Sequence, residues 1–347
     1  MFSGKIKPYN DPRVSQQSAN LNGHVYGYLY AKSSPSTSYK GTIILIHGFP
    51  DLSLGWRNQI PYLCDLGLDV IAIDCMGYGR TDSPRFTIKD YTFKRISDDI
   101  AELCRQQNLD QIILGGHDWG GAIVYRIALY FPSLITAIFA VGTPYTPPTP
   151  EYNTLNQIIQ RIPNYKYQIQ FSSGELEHEI RSKHDIRQFF NNIHGATTPE
   201  GKRAFNVCTR VDFDKQRRLR ENEVFDADEF SYYVDEYARH GINGPLNWYR
   251  SRELNFEDEW QYFFEEGRRS SQDVMQELEF EQEVLFIVAT NDEVLRPGVA
   301  EEMVQIIPKL TTRMVNAGHW ALWEKPNQCN DLIGEWLQSK VFKTPAQ

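Results

Sequence analysis

The chain has 347 residues, 41% hydrophobic and 23% charged, so it is long enough to bury a large core and has neither a disordered nor a membrane composition. Its formal net charge is -9 at pH 7, which argues against a general affinity for nucleic acid or anionic lipid. No apolar run approaches the roughly 20 residues that span a bilayer, and the opening stretch MFSGKIKPYNDPRVS predicts no secretory signal.

Short apolar runs alternate with helix-like segments along most of the chain. They lie at 25–30, 42–46, 70–73, 111–114, 137–141, 284–288 and, more weakly, 312–315. Runs of Ile, Val and Leu between helices are the sequence form of a parallel sheet that is buried on both faces. The pattern predicts an α/β fold, with a mostly parallel sheet flanked by helices.

This alternation of apolar strand-like runs and helix-like segments is interrupted between residues 141 and 284. The proline-rich stretch 143–150 can continue neither a helix nor a central strand. Beyond it, apolar residues recur at helical spacing in three groups: Leu176 and Ile180; Ile186, Phe189, Phe190 and Ile193; Phe230, Tyr233, Val234 and Tyr237. We expect Gly241 and Gly244-Pro245 to end the last of these helices, and Leu246 to start another. The prediction is a core of residues 1–147 and 279–347 with an inserted helical cap at 148–278.

One local motif combines a strand, a tight turn and a helix around a single carboxylate. An apolar strand runs into Gly116-His117-Asp118-Trp119-Gly120, and a helix-like segment follows. This is the pattern of a nucleophile elbow, in which small neighbours allow a crowded turn to raise one side chain above the sheet edge. An Asp is already ionised at neutral pH, so it can attack a saturated carbon without a base. A Gly-rich turn with Asp as a helix cap is the plainer interpretation.

Three further segments fit the same active centre. The loop His47-Gly48-Phe49-Pro50 follows an early strand, where an oxyanion hole or a plain β-turn would lie. Asp292 ends a later strand, and His319 lies on the loop after the last one. A lone Asp or His at such places is usually structural. However, the chain order of nucleophile, acid and histidine is that of an α/β-hydrolase triad.

Together these segments resemble epoxide hydrolases of the α/β-hydrolase fold. The resemblance extends from about Gly23 to Trp336 and rests on HGFP (47–50) with Trp56, DCMGYGRTDSP (74–84), GGHDWGG (115–121), GPLNWYR (244–250) and AGHW (317–320). It implies a hydrolase core with a helical cap, and a two-step hydrolysis of an epoxide to a vicinal diol.

In that family two cap tyrosines hold the epoxide oxygen. Tyr249, in GPLNWYR, matches one of them, and for the other we select Tyr167, with Tyr165 as the rival. Ring opening develops an alkoxide, which leaves poorly unless an acidic O–H bonds to it. An ordinary aromatic residue of the cap interior is the plainer interpretation of each.

The resemblance implies a role for each site residue. Asp118 would attack the epoxide and form an alkyl ester, while the tyrosines bond to the departing oxygen. His319, oriented by Asp292, would then activate water against that ester. The remaining expectations are an oxyanion hole made by the backbone N–H groups of Phe49 and Trp119, and a substrate pocket that includes His47, Pro50 and Trp320.

Other functions remain to be weighed against this one. A haloalkane dehalogenase shares the Asp elbow but would stabilise a halide with N–H donors and would not need paired tyrosines. A carboxylesterase would normally carry Ser at the elbow. A binding protein could keep the fold without turnover, although all five catalytic side chains are present in the sequence.

Cofactors, partners and compartment follow from simpler observations. No metal-ligand spacing is visible, so we predict neither a metal nor an organic cofactor, with a small hydrophobic epoxide and water as the partners. The epoxide's identity, its stereochemistry, homo-oligomer formation and the role of the acidic, aromatic stretch 255–278 stay open. The sequence has five scattered cysteines, several of which lie in apolar context and are predicted to be small core residues in a reduced, cytoplasmic setting: Cys64, Cys75, Cys104, Cys208 and Cys329.

Overall fold

The apolar runs of the sequence form the strands of one sheet. The computed structural model describes residues 4–265, 280–295 and 300–342. Eight strands lie in these ranges: β1 (Ser15–Leu21), β2 (His24–Ala31), β3 (Gly41–Ile46), β4 (Leu68–Ile73), β5 (Ile112–His117), β6 (Ile135–Val141), β7 (Glu283–Ala289) and β8 (Leu310–Val315). They are ordered β1-β2-β4-β3-β5-β6-β7-β8, with β2 antiparallel to both neighbours and every other pair parallel.

The predicted α/β architecture is confirmed. All seven predicted runs are strands, and the central ones are buried on both faces, as in residues 43–46 of β3, which are fully inaccessible. Strand β1 was not predicted, because SQQSANL is polar and mostly exposed. An edge strand of this kind is held by backbone pairing with β2 and carries no apolar run.

Helices follow most strands and fill the long insertion after β6. The first three are α1 (Gln59–Asp65), α2 (Phe93–Gln106) and α3 (Trp119–Tyr130). The insertion contains α4 (Leu155–Arg161), α5 (Tyr167–Ser172), α6 (Glu175–Glu179), α7 (Lys183–Ile193), α8 (Phe213–Gln216), α9 (Ala227–Tyr237), α10 (Asn243–Asn247) and α11 (Arg252–Glu259). The last part of the chain contains α12 (Ala300–Ile306), α13 (Ala321–Glu324) and α14 (Pro326–Trp336).

The sheet order explains how the core helices cover it. From β3 the chain moves through α1 to β4 on one side, then through α2 to β5 on the other. Right-handed crossovers therefore place α1 and α2 on opposite faces. Helix α3 packs on α2, and α14 packs on α1, so both faces of the sheet are covered. The carboxyl ends of β3, β5 and β7 consequently meet at one edge, beside the inserted helices.

The inserted helices form the predicted cap, with one boundary different from expectation. The periodic groups at 176–180, 186–193 and 230–237 belong to α6, α7 and α9. However, α10 begins at Asn243 and includes Gly244 and Pro245, because proline is tolerated in a first turn. Glycine is needed at 244 because a Cβ there would lie 2.7 Å from the Cα of Gly77 in the core. The limit of the cap at residue 147/148 stays a prediction, and the one at 278/279 lies outside the described residues.

The acidic, aromatic stretch 255–278 is described only as far as residue 265. There it completes α11 and forms a π-helical turn, Trp260–Phe264. Glu259 forms a buried ion pair with Arg126 of α3 at 2.6 Å, and Phe263 stacks on Tyr130. The described part therefore packs on α3 of the core.

Candidate active site

Asp118 occupies a strained turn between β5 and α3. Its backbone has φ 54° and ψ -123°, a conformation that few non-glycine residues adopt. The turn is crowded, since a Cβ on Gly116 would lie 2.2 Å from the carbonyl oxygen of Gly120. A Cβ on Gly120 would lie 1.9 Å from the carbonyl oxygen of Ile46 in β3. The two glycines allow the close approach that raises the Asp118 carboxylate above the sheet edge.

Backbone N–H groups hold this carboxylate from the neighbouring loop. The Phe49 N–H donates to Asp118 Oδ1 at 2.8 Å, and the backbone N–H of Trp119, the next residue, also favours the ionised carboxylate. Burial raises the pKa of Asp118, while His319 and these two donors limit the rise. The arrangement has the geometry of an oxyanion hole that already contains a negatively charged oxygen.

His319 lies between two carboxylates. Its Nδ1 donates to Asp292 Oδ2 at 2.9 Å, and its Nε2 faces Asp118 Oδ2 at 3.7 Å. Burial alone would lower the pKa of His319, but Asp292 and then Asp118 outweigh it and raise the pKa to about 9. The pair orients the imidazole so that Nε2 points at Asp118.

Asp292 is itself fixed by the turn after β7. Its Oδ1 accepts the backbone N–H groups of Val294 at 2.7 Å and Leu295 at 3.0 Å. Burial raises the pKa of Asp292, but His319 and these donors outweigh it, so the pKa lies below its ordinary value. A carboxylate held in this way stays ionised and restricts the orientation of the ring that it accepts from.

Two phenols face Asp118 from the cap. Tyr167 begins α5 and Tyr249 follows α10, and their ring centroids are 6.1 Å apart. Burial raises the pKa of both tyrosines well above the ordinary value, so each is a neutral O–H donor. Tyr165 is partly exposed and does not line the cavity described next, although the Asp118 carboxylate contributes to raising its pKa, after burial, to about 12.

These groups line one cavity between core and cap. Its volume is about 230 Å³, and Asp118, His319, Tyr167 and Tyr249 all contribute to its wall. The rest of the wall combines aromatic and aliphatic residues with polar ones: Phe49, Pro50, Phe171, Asn192, Ile193, His194, Gly195, Arg203, Phe205, Val207, Asn291, Glu293, Val294, Gly318, Trp320 and Glu324. The enclosure suits a small apolar molecule with one reactive polar group.

The predicted pocket residues divide into two groups. Pro50 and Trp320 line the cavity as expected, but His47 does not. The His47 ring is buried beneath its loop, where Nε2 accepts the Cys75 N–H at 3.0 Å and Nδ1 donates to the Gly48 carbonyl at 2.8 Å. Burial lowers the pKa of His47 to about 4, so it is a neutral structural residue of the loop.

Several lining residues were not predicted from the sequence. His194 follows α7 and stacks on Trp320 with ring centroids 4.4 Å apart. Its Nδ1 donates to the Phe190 carbonyl at 2.8 Å, and burial lowers its pKa to about 3. Only the position of His194 just after an amphipathic helix could have indicated it, and that signal does not separate a pocket wall from an ordinary helix end.

The buried neutral histidines make stability sensitive to acid. Because burial lowers the pKa of His194, the unfolded chain binds more protons below pH 6.5, and stability falls as the pH falls. One such histidine costs about 2 kcal/mol between pH 7 and pH 5. Between pH 7 and pH 5 the unfolding free energy of His194→Phe, measured by urea titration at each pH, should therefore fall by about 2 kcal/mol less than that of the wild type. His184→Gln, exposed on α7, is the control; equal losses in wild type and His194→Phe would contradict the prediction.

Comparison with known proteins places this geometry in a family. The family model described as the alpha/beta hydrolase fold matches residues 41–326. Epoxide hydrolase srdG of Neurospora crassa is 35% identical over 95% of this chain and 97% of its own length. The chain belongs to the epoxide hydrolases of the α/β-hydrolase fold.

Other epoxide hydrolases agree with this placement. The bifunctional epoxide hydrolase 2 of Mus musculus is 30% identical over 86% of this chain, which spans 52% of that longer protein. The crystal structure of epoxide hydrolase A from Mycobacterium thermoresistibile aligns with a TM-score of 0.73 at 25% identity, covering 94% of this chain and 98% of that one. The chain is thus a hydrolase by family.

The described residues contain neither a membrane-spanning helix nor a cluster of metal-ligating side chains. In the ranges that the structure covers, no helix combines the length and apolar character needed to cross a bilayer. Within the same ranges, no cluster of three or more His, Cys, Asp or Glu side chains is arranged to hold a metal ion.

Proposed function

We propose that this epoxide hydrolase family member converts small hydrophobic epoxides to vicinal diols through an alkyl ester on Asp118. The observation that carries the proposal is a single cavity with Asp118 on one wall and the phenols of Tyr167 and Tyr249 on another. A nucleophile and two proton donors across one cavity suit the opening of a strained C–O bond.

In the first step Asp118 attacks an epoxide carbon. The free oxygen, Oδ2, forms the new C–O bond, because Oδ1 is held by the Phe49 N–H. The C–O bond of the ring breaks, and its electron pair goes to the epoxide oxygen, which takes a proton from Tyr167 or Tyr249.

In the second step water cleaves the ester. Esterification neutralises Asp118 and so removes one of the carboxylates that keep the pKa of His319 high. His319 therefore gives up its proton, which returns through water to the tyrosinate left by the first step. Its neutral Nε2 can then take a proton from the water that adds to the Asp118 acyl carbon. The oxyanion forms on Oδ1, beside the Phe49 and Trp119 N–H groups. Cleavage of the Cγ–Oδ2 bond releases the diol, which takes the proton from His319. The carboxylic acid left at Asp118 then protonates His319, which restores the resting enzyme.

The phenols provide the test that separates epoxide hydrolysis from dehalogenation. An epoxide oxygen needs a proton as it leaves, whereas a halide does not. Loss of one well-placed donor typically costs about 10²–10³ in rate, and the second phenol can compensate in part. Tyr249→Phe and Tyr167→Phe should therefore slow alkylation by styrene oxide by up to that factor. The double variant should nearly stop it, as measured by single-turnover mass spectrometry.

Tyr165→Phe is the matched control, since it removes a phenol two residues from Tyr167 that does not line the cavity. We expect it to alkylate at nearly the wild-type rate. Unchanged alkylation in the double variant, or rapid chloride release from a chloroalkane by the wild type, would favour a dehalogenase instead.

A further inference from the structure

The buried amide of Asn164 bonds the cap to the core beside Asp292. Asn164 is 3% exposed and lies in the 3₁₀ turn Pro163–Tyr165 that leads into α5. Its Nδ2 donates to the backbone carbonyl of Glu293, the residue that follows Asp292 in the turn after β7. A carbonyl only accepts, so the amide NH₂ must face the core. The amide oxygen faces the other way and accepts from the Cys208 thiol at 3.6 Å.

Asn164 and Tyr167 lie on one face of a continuous helical segment. The 3₁₀ turn passes into α5 through Lys166, whose backbone is right-handed helical, and residues three apart in a helix are neighbours on its surface. Lys166 is exposed, whereas Asn164 and Tyr167 are both buried. The Tyr167 N–H also donates to the Val207 carbonyl at 3.1 Å, which holds the same turn from the cap side. A displacement of Asn164 from the core would therefore displace Tyr167.

A second contact joins the cap to the same core residue. Arg203 Nη1 donates to both carboxylate oxygens of Glu293 at 3.1 Å, and both side chains line the cavity. However, these side chains are 61% and 65% exposed, and an exposed ion pair typically contributes little to stability. The bond from Asn164 is shielded from solvent, so it is the contact that can fix the cap at Glu293.

We propose that Asn164 is a positioning residue for ring opening, which holds the Tyr167 phenol at the distance from Asp118 that the reaction needs by bonding its turn to the Glu293 carbonyl. This inference rests on the proposed function, because it concerns the phenol of the first step. Asn164 does not line the cavity, so it acts through Tyr167 and not on the substrate.

The two steps of the reaction should respond differently to loss of this bond. Ring opening uses a phenol of the cap, whereas ester hydrolysis uses His319 and Asp292 of the core. Asp292 keeps its own bonds from the Val294 and Leu295 N–H groups when Asn164 is changed. Alkylation should therefore slow while ester decay is unchanged.

Two substitutions remove the donor in different ways. Asn164→Leu keeps the approximate size of the side chain and removes both of its polar groups. Asn164→Asp is nearly isosteric, keeps the acceptor for the Cys208 thiol and places an oxygen against the Glu293 carbonyl. Both should slow alkylation by styrene oxide about threefold to tenfold, the range expected when one neutral hydrogen bond is lost.

The measurement is a rapid-quench single turnover that follows the protein adduct and the diol together, which yields the rate constants of both steps. Asn191→Leu is the control. Asn191 is a buried amide of the cap, 1% exposed, whose Oδ1 accepts the Asn222 N–H at 3.0 Å within the cap itself. Its loss should leave the alkylation rate near that of the wild type.

Double variants test whether Asn164 acts through the phenol. Adding Asn164→Leu to Tyr167→Phe should cause no further loss of alkylation rate, since the hydroxyl that Asn164 places is already missing. Adding it to Tyr249→Phe should cause the full further loss, because the reaction then depends on Tyr167.

Several outcomes would overturn the inference while leaving the proposed function intact. They are wild-type alkylation in Asn164→Leu and Asn164→Asp, equal slowing of alkylation and ester decay, and additive losses with Tyr167→Phe. If Asn164→Leu does not fold, Asn164→Asp provides the same test, and misfolding of both would show a structural role instead. Failure of the proposed function would look different, because the wild type would then form neither adduct nor diol.

Discussion

Asp118→Ala should abolish diol formation, by about 10⁴-fold or more, because the substitution removes the carboxylate that forms the ester on the proposed mechanism. Circular dichroism should show an intact fold, since the side chain projects into the cavity and its loss relieves the burial of a charge. Asp110→Ala is the control. Asp110 is exposed just before β5, at the opposite end from Asp118, and its loss should leave diol formation unchanged.

The Asp118 carboxylate should also gain an oxygen atom from water during the reaction. In a single turnover in heavy-oxygen water, the label should enter Asp118, because water attacks the acyl carbon of the enzyme. Peptide mass spectrometry of residues around the elbow detects it. Label found only in the diol during that first turnover would mean that water attacks the epoxide directly, and the ester mechanism would be refuted.

His319→Gln should allow the ester to form but should slow its hydrolysis. Alkylation needs only Asp118 and the phenols, so the variant should still gain the mass of one epoxide. Ester hydrolysis loses its general base, which is worth about 10²–10⁴ in rate. Intact-protein mass spectrometry should therefore show an adduct that persists long after the wild type has released its diol. A variant that alkylates as slowly as Asp118→Ala would show that His319 acts in the first step.

The pH dependence of the wild type provides an independent check on His319. In the resting enzyme its pKa is raised to about 9, so the ring is protonated at neutral pH. Once Asp118 is an ester, one of the carboxylates that raise the pKa of His319 has lost its charge, and the pKa must fall. The rate of ester decay should rise with pH and give an apparent pKa for His319. This apparent pKa should be lower than the pKa of His319 in the resting enzyme, which an NMR titration measures. Equal values would mean that Asp118 does not interact with His319.

Local sequence patterns predicted much of the core and the positions of the catalytic candidates. The parallel strands are buried on both faces, so they appear as apolar runs, and Asp118, Asp292 and His319 each follow a strand. Because parallel strands end at one edge, residues at these ends must lie together even when 174 to 201 positions separate them from Asp118 in the chain. The fold and family were therefore accessible without coordinates.

What the sequence could not predict depends on contacts between distant segments. Strand β1 is polar because it is an edge, and its identity comes from pairing with β2. Gly244 suggests a break in a helix, yet it is required by the approach of Gly77. His47 follows a strand and begins the HGFP motif, but its hydrogen bond with the Cys75 N–H, from a segment distant in the sequence, makes it structural. The contact of Arg252 with Gln168 joins two cap helices that no local pattern relates.

Because the Phe49 N–H is hydrogen-bonded to Asp118 Oδ1, the two oxygens of this carboxylate take different parts in the reaction. On the proposed chemistry, Oδ2 becomes the ester oxygen and departs with each diol, and a solvent oxygen replaces it. Oδ1 stays bonded to the backbone through attack, ester and oxyanion, and the strained turn gives the group little room to rotate. One oxygen atom would thus be renewed at every turnover, while its twin remains the one inserted when the chain was synthesised.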